Sequence, residues 1–118
     1  MEYNGEKRND EFHGKGKLVK ENGDIYEGNF QFGEFHGQGK YIINQDVTCK
    51  GKWVRGELIE GSISSKIENL LYEGEIKDLK RHGKGIFFNY KDKKKFEGYW
   101  KDDVLEDSED DWDVEEIE

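Results

Sequence analysis

Tyr3-Asn-Gly5, Tyr26-Glu-Gly28, Cys49-Lys-Gly51, Tyr72-Glu-Gly74 and Phe96-Glu-Gly98 recur at intervals of 23, 23, 23 and 24 residues. Self-similarity at so fixed a period is the mark of a repeat architecture, in which each unit buries its apolar face only against its neighbours. A second signature rides on the first. His13-Gly-Lys-Gly16, His36-Gly-Gln-Gly39 and His82-Gly-Lys-Gly85 lie 23 and then 46 residues apart, and the missing copy falls at Ile59-Glu-Gly-Ser62. With Gly33 and Gly56, themselves 23 residues apart, 13 of the 15 glycines lie in register, and only Gly23 and Gly61 fall outside this grid.

Within a unit the period is two. In Tyr26-Glu-Gly-Asn-Phe30 the alternation puts Tyr26, Gly28 and Phe30 on one face and Glu27 and Asn29 on the other, the pattern of a half-buried strand. A second alternating run, Gly37 to Ile43, follows across Gly33, so each unit reads as a β-hairpin. Asn22-Gly-Asp24 and Asn44-Gln-Asp46 supply turn chemistry between hairpins. A strand glycine also lets a neighbouring ring lie flat on the backbone. With no Ala, no Pro and 14% aromatic residues, the chain favours strands, and rings packed over glycines stand in for a conventional core.

These residues resemble the MORN repeat, whose unit reads Tyr-x-Gly-x-Trp-x-x-Gly-x-x-His-Gly-x-Gly. The second unit carries it nearly whole as Tyr26, Gly28, Phe30, Gly33, His36, Gly37 and Gly39. The fourth keeps Tyr72, Gly74, His82, Gly83 and Gly85 but has Ile76 and Leu79 at the Trp and turn-Gly positions, and the first departs at Lys7 and Asp10. The third keeps Gly51, Trp53 and Gly56 without the His-Gly pair, and Phe96, Gly98 and Trp100 make a half repeat. The resemblance covers residues 1 to about 104. It implies an all-β fold: an elongated, twisted, single-layer antiparallel sheet of consecutive hairpins, about four and a half repeats, with a grooved aromatic face. We therefore expect a repeat array over 1–101 and an acidic tail over 102–118.

Catalytic and metal chemistry fit poorly. Equivalent positions in adjacent hairpins lie about 10 Å apart at ~4.8 Å per strand, too far for His13 and His36 to share an ion. The expected role of these histidines is a bond to backbone at a hairpin end. Cys49 stands in a Tyr position as a small apolar substitute with no base placed to activate it. No carboxylate pair is set in an apolar pocket that would separate two pKa values. Residues 107–118 place acids at positions 1, 3, 5, 7, 9 and 12 of a calcium loop, but the required Gly at position 6 is Trp112. The expectation is no enzyme, no metal and no cofactor. Ser108-Glu-Asp-Asp111 matches an acid-directed kinase site.

Charge divides the chain. Residues 102–118 hold 11 acids and no Lys or Arg, so the net charge of −9 hides a balance of +2 over 1–101. No basic stripe suits nucleic acid. Lys91-Asp-Lys-Lys-Lys95 is the one dense basic run, and the tail is placed to screen it until a partner displaces the acids. Tyr26, Phe30, Trp53, Tyr72, Phe96 and Trp100 are candidates for a partner-binding face as well as for the core, and Trp112 is a candidate tail anchor. The favoured reading is a scaffold or adaptor for a protein partner in a cytoskeletal or ciliary assembly, as the resemblance implies. Its alternatives are a membrane-apposed module for acidic phospholipids and a small acidic inhibitor of the immunity type. Unpaired sheet ends call for a homodimer or another end-capping contact. A single Cys and no leader or apolar span give a cytoplasmic expectation.

Overall fold

A computed structural model of the chain describes residues 1–108 and 115–116, and it is built from strands alone. The strands are β1 Glu2–Arg8, β2 Glu11–Val19, β3 Ile25–Gln31, β4 Glu34–Ile43, β5 Val47–Val54, β6 Glu57–Ser65, β7 Leu70–Lys77, β8 Lys80–Asn89, β9 Lys94–Lys101, β10 Val104–Ser108 and β11 Glu115–Glu116. Strands β1 to β10 follow chain order in one antiparallel sheet, and β11 pairs with β9. The molecule measures 53 × 25 × 21 Å, the elongated single layer that the repeat implies. The unit read as a half repeat closes as a fifth hairpin, because β10 draws its residues from the acidic segment and pairs Leu105 with Trp100.

Each hairpin turns on two residues with positive φ: Asn9-Asp10, Phe32-Gly33, Arg55-Gly56, Asp78-Leu79 and Asp102-Asp103. That is the type I′ geometry, whose twist matches the right-handed twist of the strands it joins. Glycine fills the second position twice, at Gly33 and Gly56. Leu79 sits there at φ 56, a conformation in which the Cβ crowds its own backbone.

A line of nine glycines crosses the sheet in register: Gly5, Gly16, Gly28, Gly39, Gly51, Gly61, Gly74, Gly85 and Gly98. Tyr3 lies over Gly16, Tyr26 over Gly39 and Tyr72 over Gly85, so closely that an added Cβ would collide with the ring. Gly61, outside the sequence grid, is a full member of this line. In the third unit a single residue, Ile59, is extra opposite Lys52–Trp53, whereas the second unit has three residues, His36 to Gln38, opposite Asn29 alone. The shorter bulge moves the glycine one position earlier, and the loop before β7 restores the period.

The His-Gly pair is the larger bulge. Gly37 takes φ 74 within it, and the Tyr26 hydroxyl donates to the Asn29 carbonyl at 2.7 Å across its mouth. In the fourth unit the Tyr72 hydroxyl donates to the carbonyls of Glu75 at 2.7 Å and His82 at 3.1 Å. The bond to backbone expected of the histidine side chains is not the one seen at His82, where the carbonyl accepts from the phenol instead. The imidazole Nδ1 of His82 is itself buried without a partner. Carboxylates finish the bulges: Glu6 Oε2 accepts from the Lys15 amide and Glu75 Oε2 from the Lys84 amide, each at 2.6 Å.

Successive hairpins are tied by aspartates in the linking loops. Buried Asp24 accepts from the Asn44 amide at 3.0 Å and the Tyr41 hydroxyl at 3.3 Å. Asp46 accepts from Ser65 Oγ at 2.7 Å and from the Lys66 and Ile67 amides. These bonds, Ser65 first, hold the Asp46 carboxyl below the usual carboxylate range. Each of the two aspartates therefore clamps the following loop to its own.

Candidate functional site

The two faces of the sheet differ in kind. One carries the ring core: Tyr26, Phe30, Trp53, Tyr72 and Trp100 are all at most 6% exposed, with Leu18, Tyr41, Cys49, Leu58 and Ile76 beside them. These rings bury one another. Tyr26 stacks on Phe35 with centroids 3.8 Å apart and meets Phe30 and Trp53 edge-on at 5.0 and 5.5 Å. Both described indoles reach back one repeat, Trp53 Nε1 to the Gly39 carbonyl at 2.9 Å and Trp100 Nε1 to the Gly85 carbonyl at 3.0 Å. Burial pushes the Tyr26 phenol up to about 12 and the Cys49 thiol up to about 11, and it raises Tyr3 and Tyr72 as well. The other face is polar. There Lys40 pairs across strands with Lys50, and Glu60 with Glu75, beside the glycine line.

Among the candidate contact residues, Tyr26, Phe30, Trp53, Tyr72 and Trp100 are thus the floor of the ring face and offer a partner little surface. Phe96 is half-buried and packs toward Phe87 at 6.1 Å, and Trp112 lies outside the described residues. The calcium-loop spacing and the kinase-site match also lie largely outside them.

The apolar surface still reachable on this face lies in two adjoining hollows, which have Trp53 and Tyr72 at their floors and are otherwise lined by residues outside the candidate set. The first, about 400 Å³, lies over Phe35, Tyr41, Trp53 and Leu58 and is walled by Lys20, Glu57, Asp78 and Leu79. The second, about 390 Å³, lies over Val47, Ile63, Tyr72 and Phe87 and is walled by Asp46, Glu68, Arg81, Asp103 and again Leu79. Leu79, 38% exposed, is the ridge between them. The two hollows form one groove across the middle repeats. Both border the third unit, in which Cys49 stands where the flanking units have Tyr, and Leu58 where the first two units have Phe.

The second point follows from a column the period defines. Phe12, Phe35, Leu58 and Arg81 are spaced by 23 residues. Phe35, Leu58 and Arg81 occupy one register position, opposite Phe30, Trp53 and Ile76. Phe12 and Phe35 stack on Tyr3 and Tyr26 at 3.8 Å. Arg81 sets its guanidinium 4.2 Å from the Phe87 centroid and 4.9 Å from that of Trp100. Asp103 braces it: Arg81 Nη2 donates to the Asp103 carbonyl at 2.8 Å, and the Arg81 amide to Asp103 Oδ1 at 2.8 Å. Lys20 completes the set, its ammonium 5.0 Å from the Tyr41 centroid and 5.8 Å from that of Phe35. Among the described residues no group of three His, Cys, Asp or Glu side chains could hold a metal ion.

A family model described as the MORN repeat matches residues 3–25, 26–44 and 72–89, about half of the chain. The matched stretches are the first, second and fourth units; the third, with Cys49 and the short bulge, is passed over. No curated protein matches the chain.

Proposed function

The chain belongs to the MORN-repeat family, a structural and interaction repeat whose members engage proteins or membrane lipids, and on that premise we propose that it is a non-enzymatic scaffold or adaptor that binds a protein partner in the groove of its ring face. The observation that carries this reading is the groove itself. Apolar surface framed by polar side chains and set on a rigid sheet suits an extended peptide. The strained Leu79 at its centre adds weight, since costly backbone conformations gather where a side chain must be displayed. A cytoplasmic cytoskeletal or ciliary setting is the finer placement we favour, and it rests on the family alone.

The test is paired affinity capture with the wild-type chain and Leu79→Gly. This substitution removes the shared wall and relieves the turn, so the variant stays folded. A partner that is retained by wild type and lost by the variant supports the groove. Partners retained equally by both would place binding elsewhere.

A second reading, acidic phospholipid, has one observation in its favour. Exposed Lys91, Lys93 and Lys94 adjoin Phe88 and Tyr90, whose rings stack at 5.8 Å, a basic and aromatic combination suited to a membrane surface. Against it, Glu115 and Glu116 lie in register with Lys95 and Lys94. Co-sedimentation with anionic but not neutral vesicles, persisting at physiological salt, would favour this second reading.

A further inference from the structure

Resting on the groove reading above, we infer that the partner segment is basic, and that the hollow over Leu58 receives an arginine side chain from it. The column of Phe12, Phe35, Leu58 and Arg81 points to such a group. Two of its four positions hold a phenyl ring, and the fourth holds a guanidinium that lies against two rings and is braced by a carboxylate residue. The same slot in the same fold thus accepts a planar cation in place of a ring, as the quadrupole of aromatic faces and the flat, weakly hydrated guanidinium allow. At the third position Leu58, 2% exposed, supplies neither group, and the 400 Å³ hollow lies beside it.

Three further features give the sign of the missing group. Phe35 and Tyr41 line the hollow with Trp53 beneath them, and the Lys20 ammonium already stands over Phe35 and Tyr41, so these two faces accept a cation. Glu57 and Asp78, both exposed, stand at its rim as carboxylates for a fork of N–H donors. The charges walling the whole groove are two cations and five anions, and a chain of net charge −9 attracts a basic segment. Lys20 is then an internal competitor: a partner guanidinium takes the ring faces and leaves the ammonium to water.

The test titrates the folded full-length chain with Ser-Leu-Arg-Leu-Arg-Leu-Ser and with its counterparts carrying Gln or Glu in place of Arg. Calorimetry and the Trp53 indole N–H chemical shift are followed. Variants are Glu57→Gln with Asp78→Asn, Leu79→Gly, and Lys20→Ala. Glu57, Asp78 and Leu79 are exposed and Lys20 is half-buried, and circular dichroism verifies the fold of each variant. The Arg peptide should bind tightest, weaken about tenfold on loss of the two carboxylates, weaken also with Leu79→Gly, and hold or tighten with Lys20→Ala. Tightest binding by the Glu peptide, lost with Lys20→Ala, would make the groove an anion site and overturn the inference, and loss of the Arg peptide with Lys20→Ala would overturn it by showing that Lys20 supports the bound segment and does not compete with it. An Arg peptide indifferent to both groove variants would be bound by other acids and would overturn it too. Equal binding of the Gln peptide, dependent on Leu79, would sink the basic-partner inference and leave the groove reading standing. Binding of none of the three would remove both.

Discussion

Leu79 condenses the logic of the groove into one residue. Its φ of 56 carries a penalty that Gly33 and Gly56 avoid at the equivalent turn position, and its side chain walls both hollows. Leu79→Gly should therefore raise stability by about 1 kcal/mol, seen as a higher denaturation midpoint, while partner binding falls. A change that lowered both would make Leu79 a packing residue. Trp53 has the opposite character: it is 2% exposed and its indole satisfies the Gly39 carbonyl. Trp53→Phe keeps most of the packing and removes that bond, so equilibrium unfolding should show a loss of about 1 kcal/mol. The sequence announced the Tyr, Trp and Gly columns because their residue types repeat. The Phe12, Phe35, Leu58 and Arg81 column keeps the same exact period but was not legible by type, because what it conserves is a slot beside an aromatic ring that different chemistries fill.

In the first, second and fourth units the hairpin is a bulge closed by a phenol. Tyr26 and Tyr72 each donate across the bulge of their own unit, and the ring that does so is also the ring that covers a glycine. Ionising the phenol removes the donor and places a charge in the core. Burial raises the pKa of Tyr26 from 10.0 to about 12, so its protonated form is favoured by the fold. That contribution is complete below pH 10, the unfolded value, and is lost as pH rises toward 12. Buried Cys49, raised from 9.0 to about 11, adds the same sign beginning lower. Denaturation midpoints should thus hold to about pH 9 and fall steadily above it, with Cys49→Ala removing the earlier part of the fall. A midpoint flat to pH 12 would mean that the hydroxyls do not seal the bulges. At this scale the strands, hairpins and ring-over-glycine packing were all readable from period two within period 23. Bulge length was not: Gly61 looks like a stray glycine until pairing shows that a shorter bulge and a longer loop cancel in the third unit.

Taken whole, the molecule is a one-dimensional stack in which each strand answers only to its neighbours, so its ends carry the risk. Composition showed that acids gather after residue 101, and on charge alone that segment reads as a tail. Pairing gives part of it another task. Val104 to Ser108 form the return strand of the fifth hairpin, Leu105 pairs with Trp100, and Asp103 holds Arg81 against the rings of Phe87 and Trp100. Two truncations separate these tasks. A chain ending at Lys101 loses β10 and the Asp103 brace and leaves β9 as an open edge. It should melt at a clearly lower temperature and elute with a concentration-dependent size as β9 finds other strands. A chain ending at Ser108 keeps both and forgoes only the short β11 pairing with Lys94 and Lys95, so it should melt within a few degrees of the full chain. If the two truncations behaved alike and like the full chain, β10 would contribute nothing to the sheet. A chain ending at Ser108 that melted as low as the shorter one would instead show that the acids beyond it hold the edge, and that the end cap, not the hairpin, completes the array.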